Sequence, residues 1–300
     1  MKNFFKFNSL VTSLIYIVLF FVVSFNTYGS ESDSHAIIYS SFEAKHREVF
    51  VIDINGAKNT KLTGHTMADG YPKVSPNGDK FLFYGKYDGY KTWSIHTANI
   101  DGSNIVRLTN NIHKRDAAPS WSPDGKHIIF TRSYNSPGGA KKEEIWIMNA
   151  DGSQQKQIKG ISGGGASFMP DGRIVFHTKT GNSEISIANT DGSNIVTLTK
   201  NDAEDWHPEV SPDGSQVVFM SNRDGNWEIY VMSIDGSNQR RLTSNELSDW
   251  DPTWSPDGKK IAFVSDNVGG LYDIHIINSD GSGLTRIVEN GSQPSWFPVD

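Results

Sequence analysis

The chain has 300 residues, 36 % of them hydrophobic and 21 % charged, with a formal net charge of −6. That balance is enough for a buried core. A net acidic chain argues against a nucleic-acid-binding surface, which carries a basic footprint. Cysteine is absent, which excludes a disulfide framework, a thiolate metal site and a cysteine nucleophile.

The chain opens on a targeting segment. Lys2 and Lys6 form a positive start, residues 10–25 are apolar but for Thr12, Ser13 and Ser24, and Thr27-Tyr28-Gly29 offers small residues for cleavage. A signal peptide over residues 1–29 is expected, placing the mature protein in the periplasm or outside the cell. Contact with a membrane would then come only through that signal or through a partner.

Three strands follow, at residues 36–40, 48–52 and 60–63. A longer unit then starts and recurs. Its clearest copy is Asp249-Trp250-Asp251-Pro252-Thr253-Trp254-Ser255-Pro256-Asp257-Gly258. Related turns occur at Val74-Ser75-Pro76-Asn77-Gly78, Trp121-Ser122-Pro123-Asp124-Gly125, Phe168-Met169-Pro170-Asp171-Gly172 and Val210-Ser211-Pro212-Asp213-Gly214. Trp296-Phe297-Pro298-Val299-Asp300 is a last, decayed copy. The turn prolines lie 42–47 residues apart, a period that marks propellers and solenoids.

Each unit reads as four strands, A to D. Strand A ends at the Ser-Pro-Asp-Gly turn, where proline presets φ and glycine takes the positive φ. Strands B and C follow. Strand D is reached through an Asp-Gly turn, a strong hairpin signal, at Asp101-Gly102, Asp151-Gly152, Asp191-Gly192, Asp235-Gly236 and Asp280-Gly281. Complete units begin at Tyr71, Ala118, Gly165, His207 and Asp251. The N-terminal piece has B, C and D but no A; Gln293-Pro294-Ser295-Trp296 is an A strand alone. The expectation is an all-β, six-bladed β-propeller over residues 36–300, closed by one C-terminal and three N-terminal strands. Such closure removes exposed sheet edges.

At Ser-Pro-Asp-Gly, Asp-Gly-Ser and Asp-Trp-Asp-Pro the chain resembles the propeller of the TolB family. The resemblance implies a six-bladed ring in the bacterial periplasm that binds protein partners at its channel mouth. TolB proteins carry a separate N-terminal α/β domain. Only a few residues separate the signal from the first strand here, so that domain is expected to be absent.

Strand alternation sorts the connections. The uniform A–B and C–D turns share one face. The variable B–C loops and D–A crossovers share the other, where function is expected. Aligned on the proline of strand A, Asp69, Asp116, Asp205 and Asp249 stand three residues before it. Tyr71, Ala118, Gly165, His207, Asp251 and Gln293 stand one before it, and Trp206 and Trp250 two before it. This predicts an acidic ring with an aromatic wall at one mouth of the channel, suited to a basic peptide segment or to Ca²⁺ or another divalent cation held by oxygen ligands. The same aspartates can instead cap their own loops, and the tryptophans can pack between blades.

The leading expectation is a monomeric scaffold for a protein or peptide partner of the cell envelope, with Asp69, Tyr71, Asp116, Asp205, Trp206, His207, Asp249, Trp250, Asp251 and Gln293 as binding residues. The alternative is a carbohydrate-active lyase or hydrolase. His207 and Gln293 hold equivalent ring positions, which would resemble the metal cluster of oligogalacturonate lyases, and Trp206 and Trp250 could stack on sugar rings. His65 and His113 lie in crossovers, whereas His177 and His275 fall inside strands and read as packed. Gly160-Ile161-Ser162-Gly163-Gly164 matches G-x-S-x-G but lacks the strand–turn–helix elbow that motif needs. Residues 222–226 read as a plain B–C turn. Residues 133–144 form the longest B–C connection, a candidate flap. Glycine at 163–165 should leave that sector of the mouth open.

Overall fold

The computed structural model describes residues 35–43, 46–55, 58–64, 68–86, 92–267 and 269–298. The expected signal at residues 1–29 and His65 lie outside them. The described chain forms six four-stranded antiparallel sheets. Blade 1 comprises β4 (Asp69–Val74), β5 (Lys80–Gly85), β6 (Ser94–Asn99) and β7 (Val106–Arg107). Blade 2 has β8 (Arg115–Trp121), β9 (His127–Asn135), β10 (Lys141–Asn149) and β11 (Lys156–Gln157). Blade 3 has β12 (Gly163–Phe168), β13 (Ile174–Thr178), β14 (Ile185–Ala188) and β15 (Val196–Thr197). Blade 4 has β16 (Asp205–Val210), β17 (Gln216–Ser221), β18 (Glu228–Ser233) and β19 (Arg240–Arg241). Blade 5 has β20 (Asp249–Trp254), β21 (Lys260–Asp266), β22 (Tyr272–Asn278) and β23 (Thr285–Val288). The closing blade joins β24 (Gly291–Trp296) to β1 (Ala36–Glu43), β2 (His46–Asp53) and β3 (Asn59–Lys61), in the order β24-β1-β2-β3. The six-bladed ring with its shared closing blade is therefore as expected.

The apolar residues fill six clusters, and each cluster draws on two neighbouring blades. Strand B is buried on both faces because a blade packs on either side of it, which is why it reads as a near-continuous apolar run. Its middle carries one fully buried aromatic ring per blade: Tyr39, Phe83, Phe130, Phe176, Phe219 and Phe263. Burying each such ring contributes about 1.5–3 kcal/mol. Strand D, outermost, is short and largely exposed.

Tryptophans at the end of strand A tie blade to blade. Trp121 Nε1–H donates to the Lys73 carbonyl at 3.1 Å, Trp254 to the Glu209 carbonyl and Trp296 to the Thr253 carbonyl, both at 3.2 Å. The Ser-Pro-Asp-Gly turn is closed by its own atoms. Ser255 Oγ–H donates to Asp257 at 2.6 Å and accepts from the Lys260 amide at 2.9 Å, and the pattern repeats at Ser122 and Ser211. The C–D glycines allow close approach between blades: a Cβ on Gly102 would sit 2.0 Å from the Leu62 carbonyl oxygen.

The 133–144 connection is not a loose flap. β9 and β10 pair as far as Asn135 and Lys141, leaving only residues 136–140 as the turn. Residues 222–226 form the expected turn, closed by Gly225 N–H donating to the Asn222 carbonyl.

Candidate functional site

Each inner strand carries a bulge at one position, held by proline in five blades and by Ala166 in blade 3. The residue before that position takes a left-handed conformation in all six blades: Tyr71 (φ 49°), Ala118 (48°), Gly165 (57°), His207 (48°), Asp251 (49°) and Gln293 (56°). This backbone costs a non-glycine residue about 1–2 kcal/mol, so five such residues in one ring are a concentration of strain, which clusters at functional sites. These six residues, the five prolines and Ala166 that follow them, and Lys73, Ser120, Ser167 and Glu209 line the central channel.

The channel is nearly shut by its own side chains. Tyr71 Oη–H donates to Asp251 Oδ1 at 3.0 Å, and His207 Nδ1 lies in short contact with the same oxygen. Gln293 Oε1 accepts from the Tyr71 amide at 2.9 Å. One layer along the axis, Lys73 of blade 1 reaches Glu209 of blade 4 at 3.0 Å. What remains is a cavity of about 60 Å³, room for a few waters. Burial alone would raise the Asp251 carboxyl. The His207 ring, the Tyr71 hydroxyl and the Lys73 ammonium outweigh it and hold the group below its ordinary value. Burial, then the Asp251 charge, pushes the Tyr71 phenol well above its ordinary 10.0, so it stays a donor.

The four crossover aspartates are placed differently. Asp69, Asp116, Asp205 and Asp249 are fully buried and lie off the channel. Asp116 forms a bidentate pair with Arg132 of its own blade at 2.6 and 2.8 Å. Asp205 accepts from Arg223 at 3.1 Å and from Asn201 at 2.8 Å. Asp249 accepts from Asn245 at 2.9 Å, and burial beside Glu228 pushes it up to about 6. They therefore do not line the mouth as an open ring; three of them tie the crossover to its blade. Carboxylates so engaged are a poor donor set for a cation. Among the described residues, no three His, Asp or Glu side chains lie close enough to share a metal ion.

The aromatic wall is wider than expected. Trp206 and Trp250 are bridged by Trp227, with ring centroids 5.2 and 5.4 Å apart. His177 stacks on Trp206 at 5.5 Å. On the other side of the channel, Tyr71 meets Tyr84 at 5.6 Å and Tyr84 meets Trp93 at 4.9 Å. Trp93 and Trp227 stand at equivalent places, just ahead of strand C in blades 1 and 4. That shared placement was the sequence signal for them. Lys73 and Glu209 could have been found as the residues after the aligned proline.

The sector at Gly165 is filled rather than open. A Cβ there would meet His177 Nδ1 at 2.8 Å and His207 Cδ2 at 3.1 Å, so the missing side chain makes room for two imidazoles. Their rings lie 6.0 Å apart. Burial, helped by the neighbouring His207, lowers His177 to about 4 against the pull of Glu143. The His177 ring and Lys141 in turn hold Glu143 down to about 2. His275 is partly buried beside Phe263, at 5.7 Å, as a packed strand residue should be. His113 is exposed in its crossover.

The model of the TolB beta propeller domain matches residues 30–208 and 203–299. A TolB homologue of Chlorobium chlorochromatii is 42 % identical over 214 residues, covering 71 % of this chain and 47 % of that protein. An uncharacterised protein of Agrobacterium fabrum is 32 % identical over 158 residues, 49 % of each chain. The chain spans about half the length, or less, of the curated relatives it matches. The crystal structure of TolB from Acinetobacter baumannii superposes with a TM-score of 0.78 at 22 % identity, covering 89 % of this chain and 67 % of that one. An oligogalacturonate lyase in complex with manganese superposes at 0.58 with 14 % identity, over 86 % of this chain and 74 % of that one. These two likenesses show the shared fold. With its family model matched across nearly all the described residues, the chain belongs to the TolB β-propeller domain family.

Proposed function

We propose that this protein is a docking scaffold of the cell envelope, exported to the periplasm, that holds a protein partner across the mouth formed by the D–A crossovers and B–C loops. The observation that carries this reading is the combination of a channel tied shut by Tyr71, Asp251, His207, Lys73 and Glu209 with a wide, half-buried aromatic rim above it. A shut channel offers no deep pocket for a small substrate. A broad rim of tryptophan and tyrosine is the surface type enriched at protein interfaces. Relatives named as TolB homologues, one described as a Tol-Pal system protein, support an envelope setting.

Trp227→Ala/Trp250→Ala is the direct test, because both rings are partly exposed. Affinity capture from envelope extract should recover a partner with the wild-type protein and lose it with the folded double variant. Identical capture by both would place the docking surface elsewhere.

A further inference from the structure

The accessible charge at the mouth is divided. On this face, Asp116 and the carboxylates around the start of strand C in the closing blade and blades 2 and 3 are buried or already held. Glu48 meets the Thr63 hydroxyl, Asp116 meets Arg132, Glu143 meets Lys141, Glu144 takes Tyr134 and Trp146, and Glu184 takes Thr199. Those carboxylates do not take up every cation there. Among the described residues, Arg47 and Arg115 form no ion pair with a carboxylate, and Lys179 reaches Glu143 only through its charge. Each lies against an aromatic ring instead: Arg47 4.8 Å from Phe42, Arg115 5.5 Å from both Tyr84 and Trp93, and Lys179 5.1 Å from Trp206. Arg47 reaches only neutral acceptors, Tyr84 Oη and Gln293 Oε1, each at 3.4 Å, and its Nε–H has no acceptor. The accessible acids of this face lie away from blades 1 and 2: Asp202, Glu204, Glu246 and Glu289 on the crossovers that leave blades 3, 4 and 5, and Asp224 in the B–C turn of blade 4, where Arg241 holds it.

We propose that the seam of the closing blade with blades 1 and 2, built from Arg47, Tyr84, Trp93 and Arg115, binds a carboxylate-rich segment of the protein partner. Arg115 lies over the Tyr84 ring and Arg47 meets its hydroxyl, so two forked donors gather around one side chain. Arginine forks take carboxylates in paired hydrogen bonds, stronger than those to neutral acceptors. Phe42, half exposed, and Trp93 supply apolar surface for the residues between the acids. This reverses the basic segment expected from the aligned aspartates, because those aspartates are turned into their blades while Arg115 is exposed and Arg47 half exposed. The inference rests on the mouth being a protein-docking surface.

The test uses fluorescence anisotropy with the purified protein and labelled, C-terminally amidated peptides that alternate tryptophan or leucine with glutamate, or with lysine in the counterpart. The glutamate peptide should bind at least about tenfold tighter than the lysine peptide in low salt, and raising the salt several-fold should weaken it. Arg47→Gln/Arg115→Gln should cost about tenfold or more. Arg115→Gln alone, at an exposed position, should show part of that loss with unchanged thermal unfolding. Preference for the lysine peptide, no binding of the glutamate peptide, or full affinity in both variants would overturn the inference. If the glutamate peptide fails while the tryptophan variant still loses its envelope partner, only this inference falls. If the peptide binds as expected and the tryptophan variant loses nothing, it is the docking reading that falls.

Discussion

The six left-handed residues of the inner strands, five of them before a proline, show what a single position can and cannot reveal. Alignment on the proline found all six, and the channel is lined by them. The same alignment put four aspartates two residues upstream on the same footing, yet these are fully buried. The bulge between the two positions explains the difference, since it re-aims the side chains on either side of it. His177 reads as a packed strand residue, and it is buried. Its contact with the ring passed unseen because it depends on the space left at Gly165, in another strand. That burial has a measurable consequence. His177 falls to about 4 in the folded chain against 6.5 ordinarily. Between those values the unfolded chain takes up a proton that the folded chain refuses. Its contribution is therefore present above pH 6.5 and is lost as pH falls toward 4, by up to about 3 kcal/mol. Asp249 acts in the opposite sense: raised to about 6 from 3.8, it favours the fold at low pH and loses that effect as pH rises to 6. Comparing wild type with His177→Asn isolates the histidine. The stability difference between them, from denaturant titrations at several pH values, should shift by up to about 3 kcal/mol against the wild type as pH falls from 6.5 to 4. A pH-independent difference would contradict the buried, neutral imidazole.

Among the elements, strand D is the shortest, with two residues in four blades, and pairing alone would hold it weakly. A threonine just after it supplies the missing bonds. Thr63, Thr109, Thr199 and Thr243 each accept from the backbone amide of Val49, Ile95, Ile185 or Ile229 at 2.9–3.0 Å. Three of them also donate to a carboxylate at the start of strand C. The recurring Leu-Thr pair was visible as the end of strand D in the first unit. Its tie to Glu48, Glu184 and Glu228 was not, because the partners are 15 residues apart. Thr243→Val keeps the shape and removes the hydroxyl. It leaves the Ile229 amide and a Glu228 oxygen without that partner in a buried place, at a cost of about 2–3 kcal/mol. Urea unfolding should show that loss, and a loss under about 0.5 kcal/mol would mean water replaces the hydroxyl freely.

The whole molecule was the most legible level, because a period repeated six times carries its own confirmation. Each unit shows the same order of strand, Pro-turn, strand, strand and Gly-turn, and a ring is the arrangement that buries both faces of every blade. The closing blade follows from the leftover pieces at the two ends. β24 pairs with β1 and gives Trp296 to the seam with blade 5. Removing residues 291–300 would open that seam and expose the edge of β1. The truncated protein should lose cooperative unfolding or melt far below the intact one; unchanged melting would show that the ring does not depend on the shared blade. Length and composition could not reveal the partner, since the family's scaffold is common to proteins of differing function.

The central claim is that the crossover face, and not the Asp-Gly face, meets a protein partner. Placing a photo-crosslinking residue at Trp227 on the crossover face, and separately at the exposed Ile195 on the opposite face, tests it directly in envelope extract. The account predicts a discrete crosslinked adduct from position 227 and none from position 195. Adducts from position 195 alone, or the same adducts from both, would contradict it.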